Sequence, residues 1–146
     1  MLKFIKKNKF ITLSAIASIV LIAVIISFYS VDSKQNYEIV EYITKLGWKI
    51  EPRPVEISYL TIPKTFDLVY ETYNELQKDS GFDLSAYKEA HVVRYSYRVL
   101  NHKNSSKEQV RANIIIFENK IIAADISSNS AIGFVIAINN ISGQTQ

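Results

Sequence analysis

The alternation of apolar and polar positions is clearest between His91 and His102, in the segment HVVRYSYRVLNH. Successive side chains of a strand point to opposite faces, so an alternating segment has one apolar and one polar face. The apolar face here contains Val93, Tyr95, Tyr97 and Val99, and the polar face contains Arg94, Ser96 and Arg98. This pattern predicts a strand that packs one face on a core and exposes the other to solvent.

Further segments have the length and composition of strands. They are Val55 to Tyr59 with a stop at Pro63, Val110 to Phe117, Lys120 to Ile126, and the apolar run Ala131 to Ile138. The polar connection ENK places Asn119 where a tight hairpin favours a positive φ. Because strands joined by short connections pair antiparallel, these segments predict a β-meander.

Two segments carry apolar residues at helical spacing. The first contains Ile39, Val40, Ile43 and Leu46, and Gly47 follows as a stop. The second places Phe66, Val69, Tyr70, Tyr73 and Leu76 on one side, and Gly81 follows its end. Asp83 is predicted to cap a turn that begins at Leu84. The predicted fold is α+β, an antiparallel β-meander packed against two helices and preceded by one transmembrane helix.

The transmembrane prediction rests on an uncharged, mostly apolar stretch from Phe10 to Ser30. A helix needs roughly 20 apolar residues to cross a hydrocarbon layer about 30 Å thick. Four lysines precede the stretch, and a basic flank stays on the cytoplasmic side. A cleaved signal peptide is the alternative, but the run exceeds the roughly 7 to 15 residues of a signal core and lacks a small-x-small site.

The predicted organisation therefore has five parts. These are a cytoplasmic basic stub at residues 1–9, a transmembrane helix at 10–30, a short linker at 31–36, an extracytoplasmic α+β domain at 37–140 and a polar tail at 141–146. The expected location is the cell membrane, with a single pass, a cytoplasmic N-terminus and an extracytoplasmic C-terminal domain.

The formal net charge of +3 does not indicate nucleic-acid binding. Four of the 17 Lys and Arg residues precede residue 10, whereas all 14 Asp and Glu residues follow residue 31. The predicted domain is thus slightly acidic and has no basic footprint for a phosphate backbone. The absence of cysteine excludes disulfides, thiol catalysis and thiolate metal sites, and we expect no metal or other cofactor.

Two patterns that resemble catalytic or metal motifs favour ordinary structural roles. Ser85 to Lys88, SAYK, matches the Ser-x-x-Lys pattern of penicillin-recognising enzymes, but the other motifs of that class are missing and the chain is short. We interpret the segment as a turn after the helix. His91 and His102 lie at the two ends of one predicted strand, without the spacing of a zinc site, and we expect both to be exposed.

The candidate ligand-binding residues are Arg94, Arg98, Arg111 and Asp125. If the even positions of Val110 to Phe117 face the core, Arg111 shares the opposite face with Arg94 and Arg98. Asp125 lies at an alternate, polar position of the next strand and is expected on the same face. Two interpretations remain open: cross-strand ion pairs with Asp125, which we favour, and a cradle for an anionic ligand.

Several short motifs of the chain resemble an uncharacterised bacterial family, domain of unknown function 4830. The motifs are LGW at Leu46, IP at Ile62, YNELQ at Tyr73, GFDLSAYK at Gly81, RYSY at Arg94 and VRAN at Val110. The resemblance covers roughly residues 36 to 138 and implies a small exported domain behind one transmembrane helix. The chain departs from the family pattern at Ala123 and Ala124, where glycines are usual, and after Phe134, where a histidine is frequent.

We expect a non-enzymatic binding or interaction module at the cell envelope, because no complete catalytic constellation is present and the domain is small. Its expected partners are the membrane, through the anchor, and a protein, peptide or envelope polymer. The alternatives are a small cell-envelope hydrolase and a structural subunit of a membrane complex. In the last case the segment AIGFVIAI would be an exposed apolar surface.

Overall fold

The structure is a computed structural model of the chain and describes residues 18–23, 33–130 and 133–145. Most of the predicted transmembrane helix, Phe10 to Ser30, lies outside these residues. Residues 18–23 are helical, and their apolar side chains are exposed. Among the described residues, every helix falls short of the length and apolar character that a membrane crossing requires. Residues 38–146 form one compact unit.

The compact unit is built on a five-stranded antiparallel sheet whose strand order is the chain order. Its strands are β1 (Glu56–Thr61), β2 (His91–Arg98), β3 (Val110–Phe117), β4 (Lys120–Ser128) and β5 (Val135–Ala137). Helix α1 covers residues 33–45 and helix α2 covers Leu68–Lys78. Short 3₁₀ turns lie at Leu84–Tyr87 and Ile141–Gly143. The α+β class and the antiparallel meander are confirmed.

The hairpin between β3 and β4 is formed by the turn residues that the sequence predicted. Glu118 and Asn119 have φ values of 47° and 63°. Two central residues with positive φ match the twist of the flanking strands, as in a type I′ turn. The prediction for Asn119 is confirmed, and the glutamate before it adopts the same left-handed conformation. This two-residue connection pairs Phe117 with Lys120, and a one-residue shift of the register between Ile115 and Ile116 then brings Asn113 opposite Asp125.

One face of the sheet, the first face, packs against α1 and forms the main core. Ile39 and Ile43 of α1 contact this core, as the apolar spacing predicted. Trp48, just after the helix, is 1% exposed and its indole N–H donates to the carbonyl of Ile138 at 2.7 Å. The sheet contributes the predicted apolar positions of β2 and β3, which include Tyr97, Val99, Val110, Ala112, Ile114 and Ile116.

The opposite face, the second face, is covered by α2 over part of its area. The apolar residues beneath this helix include Ile62, Val92, Ile115 and Ala123, with Phe66, Tyr70 and Tyr73 packed against them. The two helices therefore pack on opposite faces of the sheet. We predicted that the polar side of β2 is exposed to solvent, but Ser96 on this side is buried.

The inner side of α2 differs from the prediction. Val69, expected on the buried side, is 77% exposed, whereas Asn74 and Gln77 are buried. Oδ1 of Asn74 accepts from the backbone N–H of Leu84, and Oε1 of Gln77 accepts from that of Ala124, both close to 2.8 Å. The apolar pattern therefore predicted the wrong buried side of α2. The amides of Asn74 and Gln77 are buried because they accept hydrogen bonds from backbone N–H groups, which hydrophobicity does not reveal.

The turn after α2 has the predicted caps. Gly81 has a φ of 81°, the left-handed conformation expected after a helix end. Oδ1 of Asp83 accepts from the backbone N–H of Ser85 and caps the 3₁₀ turn, as predicted. Hydrogen bonds from Asn74 and Ser85 lower the pKa of Asp83 to about 2. SAYK thus belongs to an ordinary turn.

His102 is buried, although we predicted a solvent-exposed strand end. Only 5% of the residue is exposed, and its ring stacks on Phe134 with the ring centroids 4.8 Å apart. Nδ1 accepts from the backbone N–H of Asn104 at 3.1 Å, and the backbone forms a bridge to Gln144. Burial lowers the pKa of His102. The predicted polar tail therefore packs on a residue about 40 positions earlier in the chain.

Several described residues of the segment AIGFVIAI contribute to the core. Phe134 and Ile136 pack against the first-face core, and Ile138 is fully buried. Val135, on the other parity, is half exposed. Residues 131 and 132 lie outside the described part of the chain. The described residues of this segment thus form the last strand and its packing rather than a continuous exposed apolar surface.

We expect the substitution Gly143→Ala to lower the free energy of unfolding by about 1–3 kcal/mol, the usual cost of overpacking. A Cβ atom at Gly143 would lie well inside van der Waals distance of Nε2 and Cδ2 of His102. Urea unfolding followed by circular dichroism measures the effect. In a His102→Ala background the same substitution should cost less, because the clashing ring is gone. Equal costs in both backgrounds would contradict this packing.

Candidate functional site

The second face ends in a polar surface beyond the edge of α2, which we call the polar face. Residues directly opposite on neighbouring strands share a face of the sheet. Register therefore assigns to the polar face Glu56, Arg94, Ser96, Arg98, Arg111, Asn113, Asp125 and Ser127. All four candidate residues from the sequence lie on this face, and they come from three adjacent strands.

Glu56 of β1 connects two of the candidate arginines. Its Oε1 accepts from Nη2 of Arg94 at 3.1 Å, and its Oε2 accepts from Nη1 of Arg111 at 2.6 Å. The two hydrogen bonds lower the pKa of Glu56. Because the pKa of Glu56 is lowered in the folded state, its ion pairs contribute their full stability above pH 4.5, the ordinary pKa of this carboxyl group. This contribution is lost as the pH falls through the lowered pKa.

Arg98 forms a separate ion pair. Its Nη1 lies 3.4 Å from Oε1 of Glu51, in the segment before β1. The predicted ion pairing across the sheet is therefore present, but its acids are Glu51 and Glu56 rather than Asp125. Arg98 and Arg111 are directly opposite each other on β2 and β3 and line a common cavity of about 320 Å³. Like charges in this position repel, so the pair favours a nearby anion.

Asp125 lies at the centre of a buried hydrogen-bond network. It is 4% exposed; Oδ1 accepts from Nδ2 of Asn113 and Oδ2 from the hydroxyl of Tyr73, both at 2.8 Å. Asn113 also accepts from the hydroxyl of Ser96 and donates to that of Ser127. Within the described residues, the ion pairs of the polar face involve other carboxylates.

The electrostatic environment of this network keeps the tyrosine protonated and disfavours the charged aspartate. Burial raises the pKa of Asp125, while hydrogen bonds from Asn113 and Tyr73 oppose that shift. Burial, followed by the neighbouring Asp125 carboxylate, raises the pKa of Tyr73 well above its ordinary value. Tyr73 is therefore held as a hydrogen-bond donor rather than as a nucleophile.

A second cavity, which we call the α2 cavity, opens between α2 and the sheet beside Asp125. Its volume is about 260 Å³. It is lined by Leu60, Tyr70, Tyr73, Arg94, Asn113, Ile115, Asp125, Ser127 and Val135. Nε of Arg94 is buried and has no hydrogen-bond partner among the described residues. The cavity thus combines apolar walls with two side chains of opposite charge.

The structure brings Arg94 and Asp125 to one cavity and Arg98 and Arg111 to another, with Glu56 linking Arg94 and Arg111. Sequence reasoning missed Glu56 and Tyr73. The alternation of β1 places Glu56 on its polar side and was a usable signal. Tyr73 was predicted as a core residue, and only the crossing of α2 over the sheet directs its hydroxyl to Asp125.

The other chemical candidates remain apart from these cavities. Nδ1 of His91 lies 2.9 Å from the hydroxyl of Thr61 on the exposed edge of the sheet. Ser85 lies in the 3₁₀ turn and is exposed. In the part of the chain that the structure describes, no group of three or more His, Cys, Asp or Glu side chains is arranged to hold a metal ion.

Substituting Glu56 with glutamine should destabilise the fold more at low salt than at high salt. The change removes the shared carboxylate and leaves three arginines on adjacent strands beside one paired acid, Glu51. The screening length falls from about 10 Å at 0.1 M to about 3 Å at 1 M ionic strength, so repulsion among the arginines weakens. Urea unfolding at both salt concentrations measures this. Glu71→Gln, on the exposed side of α2, is the control, and a salt-independent loss would contradict the prediction.

A family model described as Domain of unknown function (DUF4830) matches residues 42–126, more than half of the 146-residue chain. The chain belongs to DUF4830. This confirms the family resemblance expected from its motifs. Comparisons with curated proteins and with solved structures find no match.

The DUF4830 match runs from within α1 to the residue after Asp125. It therefore contains all four candidate residues, together with Glu56, Tyr73 and Asn113. Strand β5 and the C-terminal 3₁₀ turn lie beyond the matched residues. Except for Ser127, the charged and hydrogen-bonding groups of the polar face belong to the DUF4830 part of the chain, whereas β5 adds Val135 to the wall of the α2 cavity.

Proposed function

We propose that this DUF4830 chain is a non-enzymatic binding module, held at the outer face of a cell membrane by its N-terminal apolar segment. The module acts at the cell envelope and binds its ligand at the polar face. One observation carries the proposal: Arg94 and Asp125 line the same cavity, and each retains hydrogen-bonding capacity that the described protein groups do not use.

Unused hydrogen-bonding capacity at the buried Asp125 carboxylate and at the buried Nε of Arg94 supports a binding role on energetic grounds. Buried polar groups are nearly always hydrogen-bonded, since an unpaired one costs roughly 1–3 kcal/mol. A ligand that supplies the missing partners recovers this energy on binding. The raised pKa of Tyr73 favours hydrogen bonding over nucleophilic chemistry at the same cavity. These features favour recognition rather than catalysis.

The membrane part of the proposal is supported by the sequence. Phe10 to Ser30 has the length and composition of a membrane span, and the lysines before it match a cytoplasmic flank. The segment between Ser30 and the compact unit is short and polar, so it is a short linker between the proposed membrane span and the binding domain.

Protease accessibility tests the topology. The full chain, with an epitope added at its C-terminus, is produced in a bacterium, and intact protoplasts are treated with protease. We expect the epitope to be lost from intact protoplasts while a cytoplasmic marker protein survives. Protection of the epitope until the protoplasts are lysed would overturn the proposed orientation.

A thermal-shift screen of the purified full chain tests binding. The panel contains anionic wall polymers, lipid headgroups, short peptides and amino acids. A ligand at a hundred times its dissociation constant stabilises the fold by about 2.7 kcal/mol, which shifts Tm by several degrees in a domain of this size. We expect a shift that disappears in the Arg94→Ala, Arg98→Ala double variant.

The matched control is Arg53→Ala, which removes an exposed arginine outside the polar face. This variant should keep the ligand-induced shift of the wild type. If no compound shifts the wild type, or if the double variant responds as strongly as the wild type, the polar face is not the binding site and the proposal fails.

A further inference from the structure

We infer that the α2 cavity binds a small zwitterion, a free aliphatic α-amino acid, with Asp125 receiving its ammonium group and Arg94 its carboxylate. This inference rests on the proposed binding role of the polar face and specifies the chemistry of the ligand. Three independent features of the cavity support it: a buried carboxylate, a buried guanidinium donor and an apolar wall.

Asp125 provides the anionic end of the cavity. A carboxylate has about four acceptor positions; Asn113 and Tyr73 use two of them, and the Ser127 side chain also acts on the carboxylate by hydrogen bonding. These donors are uncharged, and Arg94, whose charge acts on Asp125, forms its ion pair with Glu56, so the aspartate is buried without an ion pair of its own among the described residues. An ammonium group is the ligand that complements this position, because it offers both charge and hydrogen-bond donors.

Arg94 provides the cationic end. Its Nη2 is occupied by Glu56, while its buried Nε has no partner among the described residues. A guanidinium presents its N–H groups in a planar fork that matches the two oxygens of a carboxylate. A ligand carboxylate at Nε would therefore complete the hydrogen bonding of this arginine while leaving its ion pair to Glu56 in place.

The remaining walls indicate the size and polarity of the ligand. Leu60, Ile115 and Val135 contribute aliphatic surface, and Tyr70 adds an aromatic ring. The volume of about 260 Å³ lies below the roughly 300–1,000 Å³ typical of pockets for drug-sized ligands. An amino acid with an aliphatic side chain fits this volume and places its apolar part against these walls.

Isothermal titration of the full chain with a matched ligand series tests the inference. The series contains L-leucine, D-leucine, L-leucinamide, which lacks the carboxylate, and 2-hydroxy-4-methylpentanoate, which has a hydroxyl in place of the ammonium group. We expect leucine to bind at least about tenfold more tightly than the amide and the hydroxy acid, a ratio equivalent to 1.4 kcal/mol.

Single variants identify which side chain recognises which group. Arg94→Gln should abolish the preference for leucine over leucinamide, because the partner of the carboxylate is gone. Asp125→Asn should abolish the preference for leucine over the hydroxy acid. Arg98→Gln is the matched control: it lies on the same strand and face but lines the other cavity, so both preferences should persist.

The result that overturns the inference is equal binding of leucine and both analogues, or no heat of binding with any of them. A preference that survives Arg94→Gln would also overturn it, and this variant decides the case if Asp125→Asn does not fold. The proposed function is tested separately. If leucine does not bind but another compound gives an arginine-dependent thermal shift, the binding role stands and the zwitterion is excluded.

Discussion

Replacing Trp48 with alanine will lower the free energy of unfolding by about 3–5 kcal/mol, the cost of deleting a large buried aromatic residue. Trp48 is nearly fully buried between α1 and the first face, and its indole N–H donates to the carbonyl of Ile138. The substitution leaves a cavity and also an unpaired buried carbonyl. Urea unfolding of the full chain, followed by circular dichroism, measures the loss.

Trp48→Phe separates the two contributions. Phenylalanine retains much of the apolar surface but cannot donate to Ile138, so we expect a loss of about 1–3 kcal/mol from the unpaired carbonyl. A loss below about 1 kcal/mol for the alanine variant would mean that this part of the core does not stabilise the fold as its burial indicates.

Replacing Asn113 with alanine will destabilise the fold by about 2–4 kcal/mol at pH 7, because a buried charge loses a hydrogen-bond donor. Asn113 donates to Asp125 and Ser127 and accepts from Ser96. Its donation to Asp125 opposes the rise in pKa that burial causes. The variant should therefore raise the pKa of Asp125 further.

The pH dependence of this loss follows from the sign of the pKa shift. A carboxylate with a raised folded-state pKa destabilises the fold as the pH increases from its unfolded value of 3.8 through the raised value. Below the raised pKa the aspartate of the folded state is mostly neutral and depends less on hydrogen bonds to an anion. The destabilisation by Asn113→Ala should thus be larger at pH 7 than at pH 4, as measured by urea unfolding at both values.

Asp125→Asn provides the control background. With the carboxylate removed, Asn113→Ala should cost the same at pH 7 and pH 4, because the titrating group is absent. A pH dependence that remains in the double variant would assign the effect to another residue and would contradict the role given to Asp125.

The local elements of this fold could be predicted from the sequence because each depends on neighbours within a few residues. The period of two in HVVRYSYRVL identified β2, and the length, composition and polar connections of the next two segments placed β3 and β4. Asn119 and Gly81 marked turns because they tolerate positive φ. Short connections after β2 and β3 then left an antiparallel meander as the simplest topology for these strands.

The parity of the strands also predicted which candidate residues share a face, but not which groups they contact. Arg94, Arg98, Arg111 and Asp125 do lie on one face. The acidic partners of the three arginines come from β1 and the segment before it, which are about 40 to 60 residues away in the sequence. No local pattern specifies the register of such distant pairs, so the ion pairs could not be assigned in advance.

The tertiary structure alone decided the buried polar groups. Asn74 and Gln77 face inward because the turn after α2 and the middle of β4 offer them backbone N–H groups, those of Leu84 and Ala124. His102 is buried because the C-terminal segment returns to cover it. Polar side chains carry no hydrophobic periodicity, and their burial depends on partners that only the folded chain brings together. The strands, turns and family were therefore determined by the sequence, and the α2 cavity by packing.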